Sequence, residues 1–359
     1  MRLVADAGLW TSGPVPQPVP LTTVLEVAGA VLSWTVDEPD GAAHIAFTDV
    51  VRADWLWRVV GEGGHSALVA AVADAPVAGV IDLPGVEIAT GALAPLRRLA
   101  LGHWLRRWWP GSQRDGIAEL DAALLDGELA LRTAAAEDYL GDDTFDSEVT
   151  ALLHPAALHR WARDGDPRAA ELARACVELG EDLGVAATEP EAAPVRRRAD
   201  YALAAGAGAD RRAEAIASGV SSLRWAAVPP GVFDAAEHTV DWRIEATGSA
   251  VRAVVRTELS GPASPDGIAV RVTSGPVAGA GVLDAAGAAT VELFDDGRAA
   301  LTESAAWNHD WRDTSVGVGA DVDEPQQVRD RVRDFARDRL RRPAPDAFLA
   351  EILAAESDY

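Results

Sequence analysis

Thr239-Val-Asp-Trp-Arg-Ile-Glu-Ala-Thr247 and Ala250-Val-Arg-Ala-Val-Val-Arg-Thr-Glu-Leu259 carry apolar residues at alternate positions, with Val240, Trp242 and Ile244 on one side of the first run and Val251, Ala253 and Val255 on one side of the second. Successive side chains of a strand point to opposite faces, so this period of two predicts half-buried β-strands. The texture continues at Gly267–Thr273, Ala288–Phe294 and Arg298–Glu303, and Asp295-Asp296-Gly297 between the last two is a hairpin signal. Short strands at this rhythm, about seven in about 100 residues, predict an immunoglobulin-like antiparallel β-sandwich. Its expected span is residues 221–322.

Upstream of the sandwich, from Asp115 to about Ser218, the chain turns to Ala, Leu, Glu and Arg, the strong helix formers, which predicts a helical region over 112–220. Asp166-Pro167 reads as an N-cap followed by proline at N1, with Gly180 or Gly184 as C-cap, and 185–195 as a loop. Residues 1–111 read as a mixed α/β region. Strands are expected at Val24–Val36, His44–Val51, Trp55–Val60 and Val77–Leu83, Ala67–Ala73 fits strand or helix, and a helix is opened by Pro95 and closed by Pro110-Gly111. Downstream, Gln326–Arg341 and Asp346–Ala355 read as helices that pack on the body within 323–359. The expected fold class is α+β and multidomain: an N-terminal α/β region, a central helical region, and a C-terminal sandwich with trailing helices.

All 32 basic residues among the 359 are arginine. Without lysine, a Walker A loop, a protein-kinase β3 lysine and Schiff-base chemistry are excluded in standard form. Cys176 is the single cysteine, which excludes an intramolecular disulfide, a CxxC pair and multi-cysteine zinc or iron-sulfur sites. One thiol fits a reducing cytoplasm, and no cofactor is expected. The absence of lysine beside abundant Ala, Arg, Gly and Val is what strong G+C pressure on codons gives, an actinobacterial type of composition. The formal charge of −24 argues against general nucleic-acid binding, because phosphate attraction supplies most non-specific affinity. Asp6 and the prolines at 14, 16, 18 and 20 stand where a signal peptide needs a continuous apolar stretch, so no export is expected. The longest apolar run, Ala67–Val80, is broken by Asp74 and Pro76, so no membrane span is expected either.

Two stretches stand out as candidate sites. Between Glu87 and Asp115 there is no acidic residue, yet Arg97, Arg98, Arg106, Arg107 and Arg114 fall in that gap. At 100° per residue Leu101, Trp104, Leu105 and Trp108 share a helix face, with His103, Arg106 and Arg107 opposite. Either the arginines grip a carboxylate or phosphate beside a flat Trp109, or they pair with the chain's own carboxylates on a tryptophan-anchored core helix. In Trp307-Asn-His-Asp-Trp-Arg-Asp313, the residues Trp307, Trp311 and Arg312 suit a binding rim, and His309 beside Asp310 could orient an imidazole as a base. The Gly61–Ser66 stretch reads as a turn after a strand. The row Arg329, Arg333, Arg337, Arg341 beside Asp330, Asp334 and Asp338 reads as a solvated, salt-bridged helix face.

No metal is expected. There is no HExxH, His154 and His159 stand five apart around Pro155, and the cluster Asp142, Asp143, Asp146, Glu148 reads as a helix cap, as does Asp321, Asp323, Glu324. There is no GxSxG elbow. By elimination the expected function is that of a non-enzymatic accessory or adaptor protein of a multi-protein assembly, with protein partners, no nucleic acid and no membrane. The alternatives are a cofactor-independent hydrolase or lyase using His103 or His309 with a carboxylate, and a small-anion or phosphate sensor built on the arginine island.

Overall fold

The computed structural model describes residues 1–75, 79–89, 91–141, 146–153, 166–184, 215–247 and 250–357. Its strands in chain order are β1 (Arg2–Asp6), β2 (Leu9–Ser12), β3 (Thr22–Val27), β4 (Ala30–Thr35), β5 (His44–Phe47), β6 (Val80–Asp82), β7 (Ala217–Ser221), β8 (Val240–Thr247), β9 (Ala250–Thr257), β10 (Ala269–Ser274), β11 (Val277–Val282), β12 (Ala288–Glu292) and β13 (Ser315–Val318). Its helices are α1 (Trp57–Ala73), α2 (Ala94–Trp108), α3 (Ala122–Leu140), α4 (Asp146–Leu152), α5 (Pro167–Asp182), α6 (Glu303–Asn308), α7 (Gln326–Arg341) and α8 (Leu349–Ser357). The chain is α+β, with every strand pairing antiparallel. It divides into two units: Met1–Trp109 with Leu120–Glu189 and Gln326–Tyr359, and Pro110–Glu119 with Pro190–Pro325. Among the described residues no helix is long and apolar enough to cross a membrane.

The first unit is built on a six-stranded sheet in the order β3-β4-β5-β2-β1-β6. In β3 the alternation puts Leu25 and Val27 inside and Val24 and Glu26 outside. The β3–β4 hairpin turns at Gly29, whose φ is +74° and whose carbonyl accepts from Thr48 and Asp49, both at 3.0 Å. A Cβ there would lie 2.2 Å from the Asp49 carbonyl, so only glycine fits. Proline near its N-terminus starts α2, which buries Leu96, Leu99, Leu101, Trp104 and Leu105 and sends the Trp104 indole N–H to the Pro20 carbonyl. Gly102 lets α2, α3 and α8 close up, since a Cβ at that position would stand 2.5 Å from Leu129 and 2.6 Å from Phe348. Phe348, fully buried, adds about 1.5–3 kcal/mol of transfer free energy to that junction. Asp166 caps α5 as expected, accepting from the peptide N–H groups of Arg168 and Ala169, with Pro167 opening the helix.

Three expectations are corrected. Trp55–Val60 is not a strand: Asp54–Leu56 is a 3-10 turn that runs directly into α1. The Gly61–Ser66 stretch is not a turn after a strand but lies inside α1, where Gly61 alone leaves helical geometry (φ 76°, ψ 159°) and kinks the helix. Arg298–Glu303 is not a strand. A tight turn at Asp295–Arg298 leads to a single bridge between Phe294 and Ala300, and Thr302 then caps α6.

In the second unit the four-stranded sheet β12-β9-β8-β7 and the three-stranded sheet β11-β10-β13 share one apolar cluster. Val240, Trp242, Ile244, Val251, Ala253 and Val255 come from the first sheet and Val270, Val272, Val316 and Val318 from the second, the inward sets of the period-two runs. The bridge between Ala278 and Phe294 joins β11 to the end of β12. Three consecutive strands, β7 to β9, form a meander in one sheet, whereas the immunoglobulin order sends its third strand to the opposite sheet. Glu324, buried, accepts from the peptide N–H groups of Trp225 and Ala226 at 3.0 and 2.8 Å, and so caps a 3-10 turn that lies far upstream of it.

Candidate functional site

Within the first unit a cleft of about 880 Å³ opens among β3, β4 and the loop after it, α2, and α7. Two contacts set α7 in place. Phe335 meets the Trp104 ring edge-on at 5.5 Å, and Arg331 grips Asp37 with two hydrogen bonds of 3.0 and 2.9 Å. Val36, Leu101 and Phe335 give the cleft an apolar wall.

The charges lining the cleft are mostly matched within the chain. Arg331 is matched by Asp37, Arg341 by Asp338 at 3.0 Å, and Asp334 by Arg337 at 3.3 Å. Arg339, nearly buried, is held by Glu351, itself wholly buried, and by Asp346 at 3.0 Å. Burial works against the Arg339 charge, but Glu351 and Asp346 outweigh it and keep its pKa above the ordinary arginine value. Arg97 and Arg342 differ. The Arg97 guanidinium donates to the backbone carbonyls of Glu38 and Pro39, and among the described residues no carboxylate forms an ion pair with Arg97 or with Arg342. Burial lowers the Arg97 pKa from its ordinary value, against the more distant pull of Asp346, Asp40 and Glu38. A partly desolvated guanidinium satisfied only by carbonyls keeps its full charge to offer an anion.

The arginine island therefore does not converge. Arg97 faces the cleft, while Arg98 bonds Glu128 at 3.1 Å and the Ala347 carbonyl at 2.9 Å and lies over the Phe348 ring. Arg106 pairs with Asp126 at 2.8 Å, and Arg107 stacks on Trp108 at 4.0 Å. Arg114 lies in the second unit, on Glu258 and the His238 carbonyl. His103 and Trp109 are half-buried and line no part of the cleft. Arg98, Arg106 and Arg114 thus pair with the chain's own carboxylates, and Arg97 bonds only backbone carbonyls.

The second stretch is also split. Trp307 is 52% exposed, but Trp311 is a core residue at 8%, its indole N–H donating to the Ala306 carbonyl at 2.9 Å, and so cannot serve as an exposed rim. The Arg312 side chain is 90% exposed and sits 3.8 Å from Asp310. Asp310 caps the turn at Trp311–Asp313 rather than orienting His309. The His309 Nε2 instead meets the Ser274 hydroxyl at 2.9 Å, a contact between residues 35 positions apart that no local motif announces. Ser274 is 1% exposed, which leaves its oxygen no open face for a substrate carbonyl.

His154, His159, Asp142 and Asp143 lie outside the described residues. Among the described residues no group of three His, Cys, Asp or Glu side chains could hold a metal ion. Most of the cleft was missed from sequence because it is built on α7, read there as a solvated face. The salt-bridged row is real, but Arg329 and Arg333 are buried. Arg331, Phe335 and Arg339 stand four apart on one helix face, with Arg342 three further on, just past the end of α7, and that spacing was the available signal. Set against protein-family models, curated proteins and solved structures, the chain matches none of them.

Proposed function

We propose that the protein acts by recognition rather than catalysis, as an accessory or adaptor protein that captures an acidic group of its partner in the cleft of the first unit. The observation that carries this reading is Arg97 with Arg342, two lining cations that form no ion pair with a carboxylate among the described residues, in a cleft whose other arginines are matched and whose wall is apolar. Ligand sites are concave and largely apolar, with a few placed polar groups that fix orientation. The exposed Trp307 and Arg312 form a second, smaller contact surface in the second unit, read as a two-sheet sandwich. The protein works in the cytoplasm, in keeping with its lone buried thiol.

The test is retention of native cytosolic proteins by the tagged chain, compared with the double variant Arg97→Gln, Arg342→Gln. A stoichiometric partner held by the parent and lost from the folded variant is the expected result. A chain that elutes alone, or a partner held equally by both, overturns the reading.

A further inference from the structure

The charge balance of the cleft also selects among acids. This step rests on the recognition reading above and names the chemical class of the group recognised. After Arg331 is set against Asp37, Arg341 against Asp338, Asp334 against Arg337 and Arg339 against Glu351, three charges remain among the lining residues: Arg97, Arg342 and Asp346. Their sum is a single positive charge. Asp346 is bonded to Arg339 and is the strongest of three carboxylates whose charge acts on Arg97, ahead of Asp40 and Glu38, so any incoming anion shares the site with all three. A monoanion offsets the one positive charge of the lining. A dianion leaves a second negative charge facing Asp346 in a chain of net charge −24, and like-charge juxtaposition of this kind suppresses binding. Val36, Leu101 and Phe335 border the same space, and the volume of about 880 Å³ far exceeds what a bare carboxylate fills.

We infer that the cleft takes a monovalent carboxylate attached to an apolar, preferably aromatic, body, and discriminates against phosphate dianions. The carboxylate lies between Arg97 and Arg342, and the body lies along Phe335 and Leu101.

The experiment is calorimetric titration of the full chain with four probes: 3-phenylpropionate, acetate, phenyl phosphate and 3-phenylpropanesulfonate, at pH 8 and pH 5. At pH 8, 3-phenylpropionate is expected to bind at least about tenfold more tightly than acetate, from burial of the ring. It is also expected to bind at least about tenfold more tightly than phenyl phosphate, a dianion there because its second pKa is near 6. Between pH 8 and pH 5 phenyl phosphate becomes a monoanion and is expected to gain about tenfold or more. The sulfonate, a monoanion throughout, is expected to stay constant. Arg97→Gln, Arg342→Gln should abolish binding of the carboxylate with unfolding temperature unchanged.

Equal or tighter binding of phenyl phosphate at pH 8 overturns the monoanion selection while leaving acid recognition standing. Equal binding of acetate and 3-phenylpropionate overturns the apolar body. A sulfonate that strengthens as phenyl phosphate does would move the pH effect to the protein and overturn the charge argument. If no acid binds, this inference and the recognition reading fall together.

Discussion

Glu351→Ala is expected to destabilise the first unit severely, and the structure gives the size. The Glu351 side chain is 0% exposed and accepts from Arg339 through Nε and Nη2, the latter at 2.8 Å, and from the Phe348 peptide N–H at 2.8 Å. Truncation leaves the nearly buried guanidinium with Asp346 alone, a carboxylate that is 43% exposed. Removing one partner of a buried ion pair costs about 3–5 kcal/mol. For a unit of 150–250 residues each kcal/mol moves the midpoint by about 2–4 °C, so the expected drop is roughly 6–20 °C. The assay is thermal and denaturant unfolding of Glu351→Ala, Arg339→Met and the double variant Arg339→Met, Glu351→Leu. Because both buried charges are gone in the double variant, it should recover most of the loss. A single-variant cost below about 1 kcal/mol, or a double variant as unstable as the sum of the singles, would refute the argument that Glu351 exists to neutralise Arg339.

Gly102→Ala should destabilise by about 1–3 kcal/mol, because the added carbon meets Leu129 and Phe348. Gly63→Ala, in α1 with nothing within 4 Å, should stabilise by about 0.5–1 kcal/mol, and opposite signs in parallel melts are the check. Hydrogen bonds from the Arg168 side chain, then from the Arg168 and Ala169 peptides, hold the Asp166 carboxyl at about 2. This lies below the unfolded value of about 3.9, so the contribution of Asp166 is complete above that pH and lost as pH falls through the folded value. Carboxyl NMR should place its midpoint there, and Arg168→Ala should raise it. Burial pushes the Cys176 thiol up to about 12, and its sulfur lies 3.4 Å from the Gly127 carbonyl. A disulfide reagent at pH 8 should therefore find no reactive thiol until the protein is unfolded.

What could be read from the sequence was whatever local chemistry enforces. The Asp166-Pro167 start, the helix after Pro95 and the alternating runs at 240–257 stand as read, because a cap, a ring-locked φ and a two-residue period act over a few residues. The kinked α1 was misread because Gly61, Gly63 and Gly64 lower helix propensity, while in the fold Val59 before the kink and Leu68 after it are both buried and hold the helix in place. The cleft was legible only at Arg97. Its other walls come from β3, β4 and the loop after it and from residues of α7 more than 200 positions away, and only the pairings of the folded chain show which arginines are matched and which are not. Trp311 and Trp307 look equivalent in sequence, yet one fills the core and the other faces solvent, a distinction set by the two sheets that enclose Trp311.

The central claim is that an acid binds at Arg97 and Arg342 in the cleft of the first unit. Its most direct test is the position of a bromine-labelled acid, 3-(4-bromophenyl)propionate, found by anomalous diffraction from crystals of the full chain. The account predicts the carboxylate against the Arg97 and Arg342 guanidinium groups and the bromine beside Phe335 and Leu101. A bromine anywhere else, or a cleft left empty at saturating acid, would contradict it.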